Sequence, residues 1–145
     1  MTIDPSELAA VASQVWQLIM ASEIEQVAVG DLNADAAPHV AHIELTGAYR
    51  AEVALQLDAQ LTRSAAATMF DLSEDEVTPS HMADTARELA NMVGGNMKSL
   101  VEQPTQLGLP ELTSAPEFHK ARPPASFRLA FEHRGAPLQL SVYEP

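Results

Sequence analysis

Apolar residues near the start of the chain recur at intervals of three and four positions, which is the period of one face of an α-helix. The run is preceded by Asp4, a favoured N-cap residue, and by Pro5, which suits the first helical turn. The pattern therefore predicts an amphipathic helix that ends at about Ala21. The residues that recur at this spacing are Leu8, Val11, Val15, Leu18 and Ile19.

Between Gln26 and Asp58 the apolar residues alternate with polar ones, which is the period of a half-buried β-strand. Alternation is clear at residues 41–45 and again at 53–57, on either side of a break at Thr46–Gly47. Two alternating runs around a glycine-containing turn are typical of a β-hairpin. A second pair of such runs closes the chain around Arg134–Gly135 and predicts another hairpin.

Two further helices are expected between these hairpins. Asp58 can cap a second, alanine-rich helix over residues 59–70, and Thr78–Pro79 can start a third. The third helix is the longest and is expected to end at about Glu102. The tail beyond it is divided into short extended pieces by Pro104, Pro110, Pro116, Pro123 and Pro124.

The order of these elements indicates the class of fold. Helices and hairpins mixed without β-α-β alternation predict an α+β protein, in which a mainly antiparallel sheet of hairpins packs against three helices. The chain has 145 residues, within the ~100–200 residues of one ordinary domain, so residues 1–145 are expected to form a single domain.

Charge and composition exclude several classes of function. Eight Lys and Arg against twenty Asp and Glu give a net charge of −12, which argues against nucleic-acid partners and anionic membrane surfaces. The lack of cysteine excludes disulfides and thiolate chemistry, and the five histidines show no metal-ligand spacing, so no metal site is expected. Without an apolar run of ~18 residues or a basic N-terminal signal, the protein is expected in the cytoplasm.

The predicted third helix has two contrasting faces. One face is apolar and should point into the core: Met82, Ala86, Leu89, Val93, Met97 and Leu100. The opposite face should point to water or to a partner: Asp84, Glu88, Asn91, Gly95, Lys98 and Glu102. Glu88 and Asn91 are three positions apart, so their side chains are neighbours. Such a face is usually only solvated, and a Glu–Asn pair contains no nucleophile.

The pair Gly94–Gly95 is unexpected in the middle of a helix, where each glycine costs roughly 1 kcal/mol relative to alanine. Gly95 lies on the polar face, one turn after Asn91, and its missing side chain would let another molecule approach the helix closely. The alternative is close packing of the helix against the sheet, with Gly94 at the contact.

Residues 84–100 resemble the signature helix of the CheX/CheC family of chemotaxis phosphatases. The family pattern is an Asp or Ser, three residues, a Glu, two residues and an Asn, and Asp84, Glu88 and Asn91 match it in type and spacing. The proline that follows in the family corresponds to Pro116 with a small insertion. The first helix offers no second Glu-x-x-Asn, since Glu7 is followed by alanine three positions on, so the chain resembles the shorter CheX type.

The resemblance implies a CheX-like fold and hydrolysis of the aspartyl phosphate of a CheY-like response regulator. Asn91 would orient the attacking water and Glu88 would pair with the active-site lysine of the regulator, so both are candidate catalytic residues. From the polar face itself we expect Gly95 to leave space for a regulator loop and Lys98 to touch an acidic rim of the regulator. Asp84 would support this binding face.

The resemblance further implies a homodimer with one site per protomer and no cofactor of its own, because the required Mg²⁺ belongs to the acidic pocket of the regulator. A second interpretation remains open. The same fold can serve as a non-catalytic module that docks a response regulator or a motor-switch partner, and fold alone does not decide between them.

Overall fold

The computed structural model describes residues 3–145, in which helices and strands follow one another along the whole chain. The helices are α1 (Pro5–Met20), α2 (Ala59–Phe70), α3 (Pro79–Lys98) and α4 (Ala115–Lys120). The strands are β1 (Glu25–Val27), β2 (His39–Gly47), β3 (Ala51–Leu57), β4 (Thr105–Leu107), β5 (Glu111–Ser114), β6 (Phe127–His133) and β7 (Ala136–Tyr143). A short 3₁₀ turn, Glu74–Glu76, connects α2 to α3.

The strands form one antiparallel sheet in the order β1-β6-β7-β3-β2-β4, and β5 pairs with the other half of β2. Both predicted hairpins are confirmed, as β2–β3 and β6–β7. The second turns through Arg134 and Gly135, whose φ angles of 51° and 82° are both positive, as a two-residue hairpin loop requires. The predicted α+β class with a mainly antiparallel sheet is therefore confirmed.

Side-chain caps start the three predicted helices where the sequence places them. Asp4 accepts a hydrogen bond from the Ser6 amide, and Asp58 accepts from the amide of Gln60. Thr78 accepts from the amide of His81. Each cap satisfies an amide that the first helical turn leaves unpaired, so these starts follow from local chemistry.

The predicted end of the third helix was wrong by about one turn. α3 ends at Lys98, because the amides of Leu100 and Val101 bond to carbonyls three residues back and tighten the chain into a turn. Val101 is thereby buried, while Glu102 lies beyond the helix and is exposed. Glu102 therefore does not belong to the polar face of α3.

Helices α1, α2 and α3 cover one face of the sheet and enclose the main core. The core side chains of the sheet include Ile43, Leu45, Val53, Leu55, Phe131, Leu140 and Val142. From α3 they meet Ala86, Leu89, Val93 and Met97, so these members of the predicted apolar face are confirmed as buried. Within residues 3–145, no helix has both the length and the apolar character that crossing a membrane requires.

A fourth helix, α4, covers the other face of the sheet, and the prediction of three helices missed it. Ser114 caps it, and Pro116 lies in its first turn, where proline is compatible with a helix. The prolines of the tail therefore do not all mark extended chain. The buried Phe118 of α4 packs on this face against Val40, Ala54 and Tyr143.

A buried polar cluster lies beside α4 on the same face. Glu52 accepts hydrogen bonds from Arg122, at 3.0 Å, and from His42, also at 3.0 Å. His42 reaches Thr113 through its other ring nitrogen, at 2.8 Å. Burial of the Glu52 carboxyl favours its neutral form, but these hydrogen bonds and the Arg122 charge outweigh it and lower its pKa to about 2.

Candidate functional site on α3

The position of α3 is set by a close contact with the sheet at Gly94. A Cβ atom at this position would lie 2.8 Å from Ile43 Cγ2 and 3.0 Å from Leu107 Cδ1. Only a residue without a side chain lets the helix approach β2 and β4 this closely. The packing interpretation of the glycine pair is therefore correct for Gly94.

Gly95 faces a different environment. A Cβ atom there would meet only Leu107 Cδ2, at 3.9 Å, which is an ordinary contact. The position is partly exposed, so the helix backbone is accessible from outside at this point. Gly94 thus serves the fold, while Gly95 leaves a bare patch on the outer face.

The motif residues are on that outer face. Glu88 is exposed and Asn91 is partly exposed, one turn apart on the helix. Within the described residues 3–145, neither side chain has a hydrogen-bond or ion-pair partner, so the carboxylate and the amide are both available to another molecule. Lys98, at the last turn of α3, is exposed as well.

Asp84 differs from the other motif residues, because it is already paired within the helix. Its Oδ1 accepts a hydrogen bond from Nη2 of Arg87 at 2.8 Å, and both side chains are more than one-third exposed. Arg87 was not among the residues predicted to form the site. The signal was present, since an Asp and an Arg three positions apart in a helix are neighbours.

The histidines are not brought together. His42 is buried in the cluster beside α4, whereas His39 is exposed on the face that carries α2 and α3. Among the residues that the structure describes, no group of three or more His, Asp or Glu side chains has a geometry that could hold a metal ion.

The shape of the site indicates the kind of molecule it can meet. A hollow with a volume of about 300 Å³ lies near the start of α3, between Leu57, Met82 and Leu112. Glu88 and Asn91 do not line it but stand on the convex side of the helix. A convex polar face fits a cleft in a macromolecule better than it encloses a small ligand.

The chemistry of the site follows from its functional groups. The Glu88 carboxylate can accept hydrogen bonds from a cation, and the Asn91 amide can both donate and accept. A carboxylate is a weak nucleophile and an amide is not one, so this pair is better suited to holding and orienting a partner group than to covalent catalysis. A reaction at this face therefore needs a partner whose own group is already reactive.

Comparisons with known proteins agree with the fold and the motif. The family model described as chemotaxis phosphatase CheX matches residues 39–132, which include α3 and most of the sheet. A comparison with curated protein sequences gave no match.

Several solved structures are similar over nearly the whole chain. Chemotaxis protein CheX from Vibrio vulnificus has a TM-score of 0.76 at 15% identity, covering 96% of this chain and 97% of that one. A chain of the CheX-CheY-BeF3-Mg²⁺ complex from Borrelia burgdorferi has a TM-score of 0.76 at 18% identity, covering 98% of both.

The FliM middle domain from Vibrio alginolyticus is similar at a TM-score of 0.62 and 12% identity, covering 97% of this chain and 89% of that one. At such identities these structural likenesses establish the fold alone. The family model adds the sequence evidence, because it matches more than half of the chain. The chain therefore belongs to the CheX family of chemotaxis phosphatases.

Proposed function

We propose that this protein hydrolyses the aspartyl phosphate of a CheY-like response regulator. One observation carries the proposal: Glu88 and Asn91 stand side by side on the outer face of α3 without partners in the described chain, next to the bare backbone at Gly95. The similar structure from Borrelia burgdorferi contains CheY with BeF3 and Mg²⁺, and a regulator of this class suits the convex face of α3.

Asn91 would perform the central step. An acyl phosphate is already reactive, so its hydrolysis requires mainly a water molecule held in line with the phosphorus atom. The amide oxygen of Asn91 can accept a hydrogen bond from that water, while its NH₂ group donates to a neighbouring oxygen of the regulator. A glutamine orients water in the same manner in GTPases.

Glu88 would anchor the helix. Its carboxylate is exposed and unpaired among the described residues, and it would form an ion pair with the active-site lysine of the regulator. This contact sets the depth of α3 in the cleft and thereby the position of Asn91, one turn further on. Gly95 would leave room for a regulator loop.

The remaining parts of the proposal concern the partner and the assembly. The Mg²⁺ ion would be held by the carboxylates of the regulator, and this chain would supply no metal ligand. We also propose that the protein is a homodimer with one site per protomer and acts in the cytoplasm. The mass in solution, measured by light scattering, tests the oligomeric state directly.

The decisive experiment measures phosphate release from a panel of CheY-like regulators charged with acetyl phosphate and Mg²⁺. Wild-type protein should accelerate dephosphorylation of at least one regulator. Asn91→Ala should lower the accelerated rate of dephosphorylation by about 10²-fold or more, because it removes the group that orients the water. The same variant should still bind the regulator. Glu88→Ala should weaken binding as well, because it removes the anchor.

A non-catalytic docking module is the alternative, and the likeness to the FliM middle domain shows that the same fold occurs outside enzymes named as phosphatases. The same assay separates the two. If a regulator binds to wild-type protein but loses phosphate no faster, the protein is a docking module and Asn91 has no catalytic role.

A further inference from the structure

The outer side of α3 carries two of the eight basic residues of this acidic chain, Arg87 and Lys98. They are eleven positions apart, which is about three helical turns, or ~16 Å along the axis. At about 100° per residue, Asn91 and Lys98 lie within ~40° of Arg87 around the helix. Arg87, Asn91 and Lys98 therefore form one row along the helix, and the bare position Gly95 lies beside the gap between Asn91 and Lys98.

Arg87 is held in place within this row. Its guanidinium donates to the Asp84 carboxylate at 2.8 Å, with 38% of the Arg87 side chain exposed. An exposed pair of this kind adds little to the stability of the fold. Its effect is on orientation: Asp84 lies one turn towards the N-terminus, so the pair draws the guanidinium away from Asn91 and leaves the amide uncovered.

Lys98 is at the other end of the row and is exposed at the last turn of α3. Within residues 3–145, no carboxylate lies within salt-bridge distance of its ammonium group. Beside it is an open groove bordered by Gly47, Glu102 and Pro104. The ammonium group is therefore free to meet a partner.

Charge decides what these cations can do. A chain with a net charge of −12 is repelled by an anionic partner unless positive groups meet that partner locally. The pocket of the proposed regulator combines carboxylates with a phosphoryl group, and its Mg²⁺ ion and lysine offset that negative charge only in part. The four charged residues of α3, Asp84, Arg87, Glu88 and Lys98, sum to zero. Arg87 and Lys98 thus offset the two carboxylates that accompany Asn91, and this helix adds no net negative charge where the partner would meet it.

We propose that Arg87 and Lys98 form a two-point cationic clamp that holds the acidic rim of the phosphorylated regulator on either side of Asn91. Asp84 is then a positioning residue, which acts through Arg87 and does not itself contact the regulator. This inference rests on the proposed function and identifies the residues that set partner recognition at the same site.

The test uses a regulator loaded with beryllium fluoride and Mg²⁺, so that binding is measured without hydrolysis. Association rate and affinity are compared at low and high salt for wild type, Arg87→Glu and Lys98→Glu. Each charge reversal should weaken binding by about tenfold at low salt, mainly through slower association, and should flatten the salt dependence. Lys120→Glu is the matched control, since it makes the same charge change at an exposed position of α4, on the opposite face of the sheet.

The role of Asp84 is tested by a double-mutant comparison. Asp84→Asn should weaken binding in the wild-type background and have no effect in an Arg87→Ala background, because its action passes through Arg87.

In the hydrolysis assay, Arg87→Ala should raise KM with kcat nearly unchanged, since the clamp holds the partner and not the reacting atoms. Circular dichroism and thermal unfolding check that each variant is folded.

The outcomes separate this inference from the proposed function. If wild-type protein binds no charged regulator, the proposed function fails and the clamp with it. If wild type binds but Arg87→Glu and Lys98→Glu bind equally well, the clamp alone is refuted. If Asp84→Asn weakens binding equally in both backgrounds, Asp84 is a direct partner contact and not a positioning residue.

Discussion

Gly94 and Gly95 are adjacent in α3, but a side chain would meet very different surroundings at the two positions. At Gly94 an added Cβ collides with the β-branched side chain of Ile43, which cannot turn away within the core. Gly94→Ala should therefore lower the free energy of unfolding by about 1 kcal/mol net, because overpacking costs ~1–3 kcal/mol and the gain in helix propensity returns roughly 1 kcal/mol. Urea unfolding measures the change.

Gly95→Ala is the control for this prediction. Its Cβ would make only an ordinary contact with Leu107, so the variant should be more stable than wild type by about 0.5–1 kcal/mol. If Gly95 leaves room for a regulator, the same variant should bind the regulator less well. Equal stability losses at both positions would contradict this difference in packing between Gly94 and Gly95.

Asn91 shows how much of the site can be read at the scale of single residues. Its spacing from Glu88 places both on one face of the helix, and the resemblance to the CheX/CheC signature makes them candidates. Arg87 was overlooked, although the i, i+3 spacing from Asp84 allows an ion pair. That both members of this pair would meet in the folded helix, while Glu88 stays free, depends on side-chain conformations that spacing does not determine.

At the scale of elements, α4 depends on contacts that are distant in sequence. Arg122 follows α4 and donates to Glu52, seventy positions earlier, while its guanidinium stacks over Phe118 at 3.7 Å from the ring centroid. These contacts fasten the end of a helix of only six residues, which would not be stable alone.

Removal of this link should loosen α4. Arg122→Met should lower the free energy of unfolding by about 1–3 kcal/mol, because Glu52 stays largely buried and loses both guanidinium hydrogen bonds. Lys120→Met, at an exposed position of the same helix, should change it by less than about 0.5 kcal/mol. Denaturant unfolding compares the two, and an unchanged Arg122→Met protein would show that α4 is held by the Phe118 packing alone.

Helix α3 contrasts with α4, because its start and its faces are determined locally. Thr78 caps it within three residues, and its apolar side chains recur over the whole length of the helix. Its end was predicted about one turn too late, because the turn at Leu100 and Val101 brings Val101 into contact with distant core residues, which helical spacing does not reveal.

At the scale of the whole molecule, several shifted groups make stability depend on pH. Burial lowers the pKa of His119 and of His133 below the ordinary value of 6.5, with nearby arginine charges contributing. The folded state therefore binds protons at these groups less readily than the unfolded chain. Glu52 acts in the same direction at lower pH, since its pKa of about 2 is below the ordinary 4.5.

Stability should accordingly fall in two stages as the pH decreases. The first loss of stability begins near pH 6.5, because the histidines bind protons more readily in the unfolded chain than in the folded protein. The second loss lies between about pH 4.5 and 2, where Glu52 is protonated in the unfolded chain but stays ionised in the folded protein. Urea midpoints measured from pH 8 to pH 3 test this. Glu52→Gln should reduce the loss of stability between about pH 4.5 and 2 and leave the loss near pH 6.5 unchanged. If the loss at low pH is the same in the variant, other carboxyl groups cause it.

The sequence alone determined the features that depend on interactions between residues close together in the chain. Caps at Asp4, Asp58 and Thr78, the two hydrophobic periods and the Arg134–Gly135 turn depend on interactions within a few positions, and the structure confirms the elements they predict. The composition of the outer face of α3 was also determined locally. Helical spacing alone places Asp84, Glu88 and Asn91 on one face.

The tertiary structure decided whatever needs a partner that is far away in the chain. The existence of α4, the Arg122–Glu52 link and the end of α3 depend on such contacts, as does the difference between Gly94 and Gly95. The sequence pattern could not distinguish two adjacent glycines, because the collision that excludes a side chain at one of them comes from Ile43, about fifty residues earlier. Interactions between neighbouring residues determine which helices and strands form, whereas packing in the core determines which of their surfaces stay exposed to a partner.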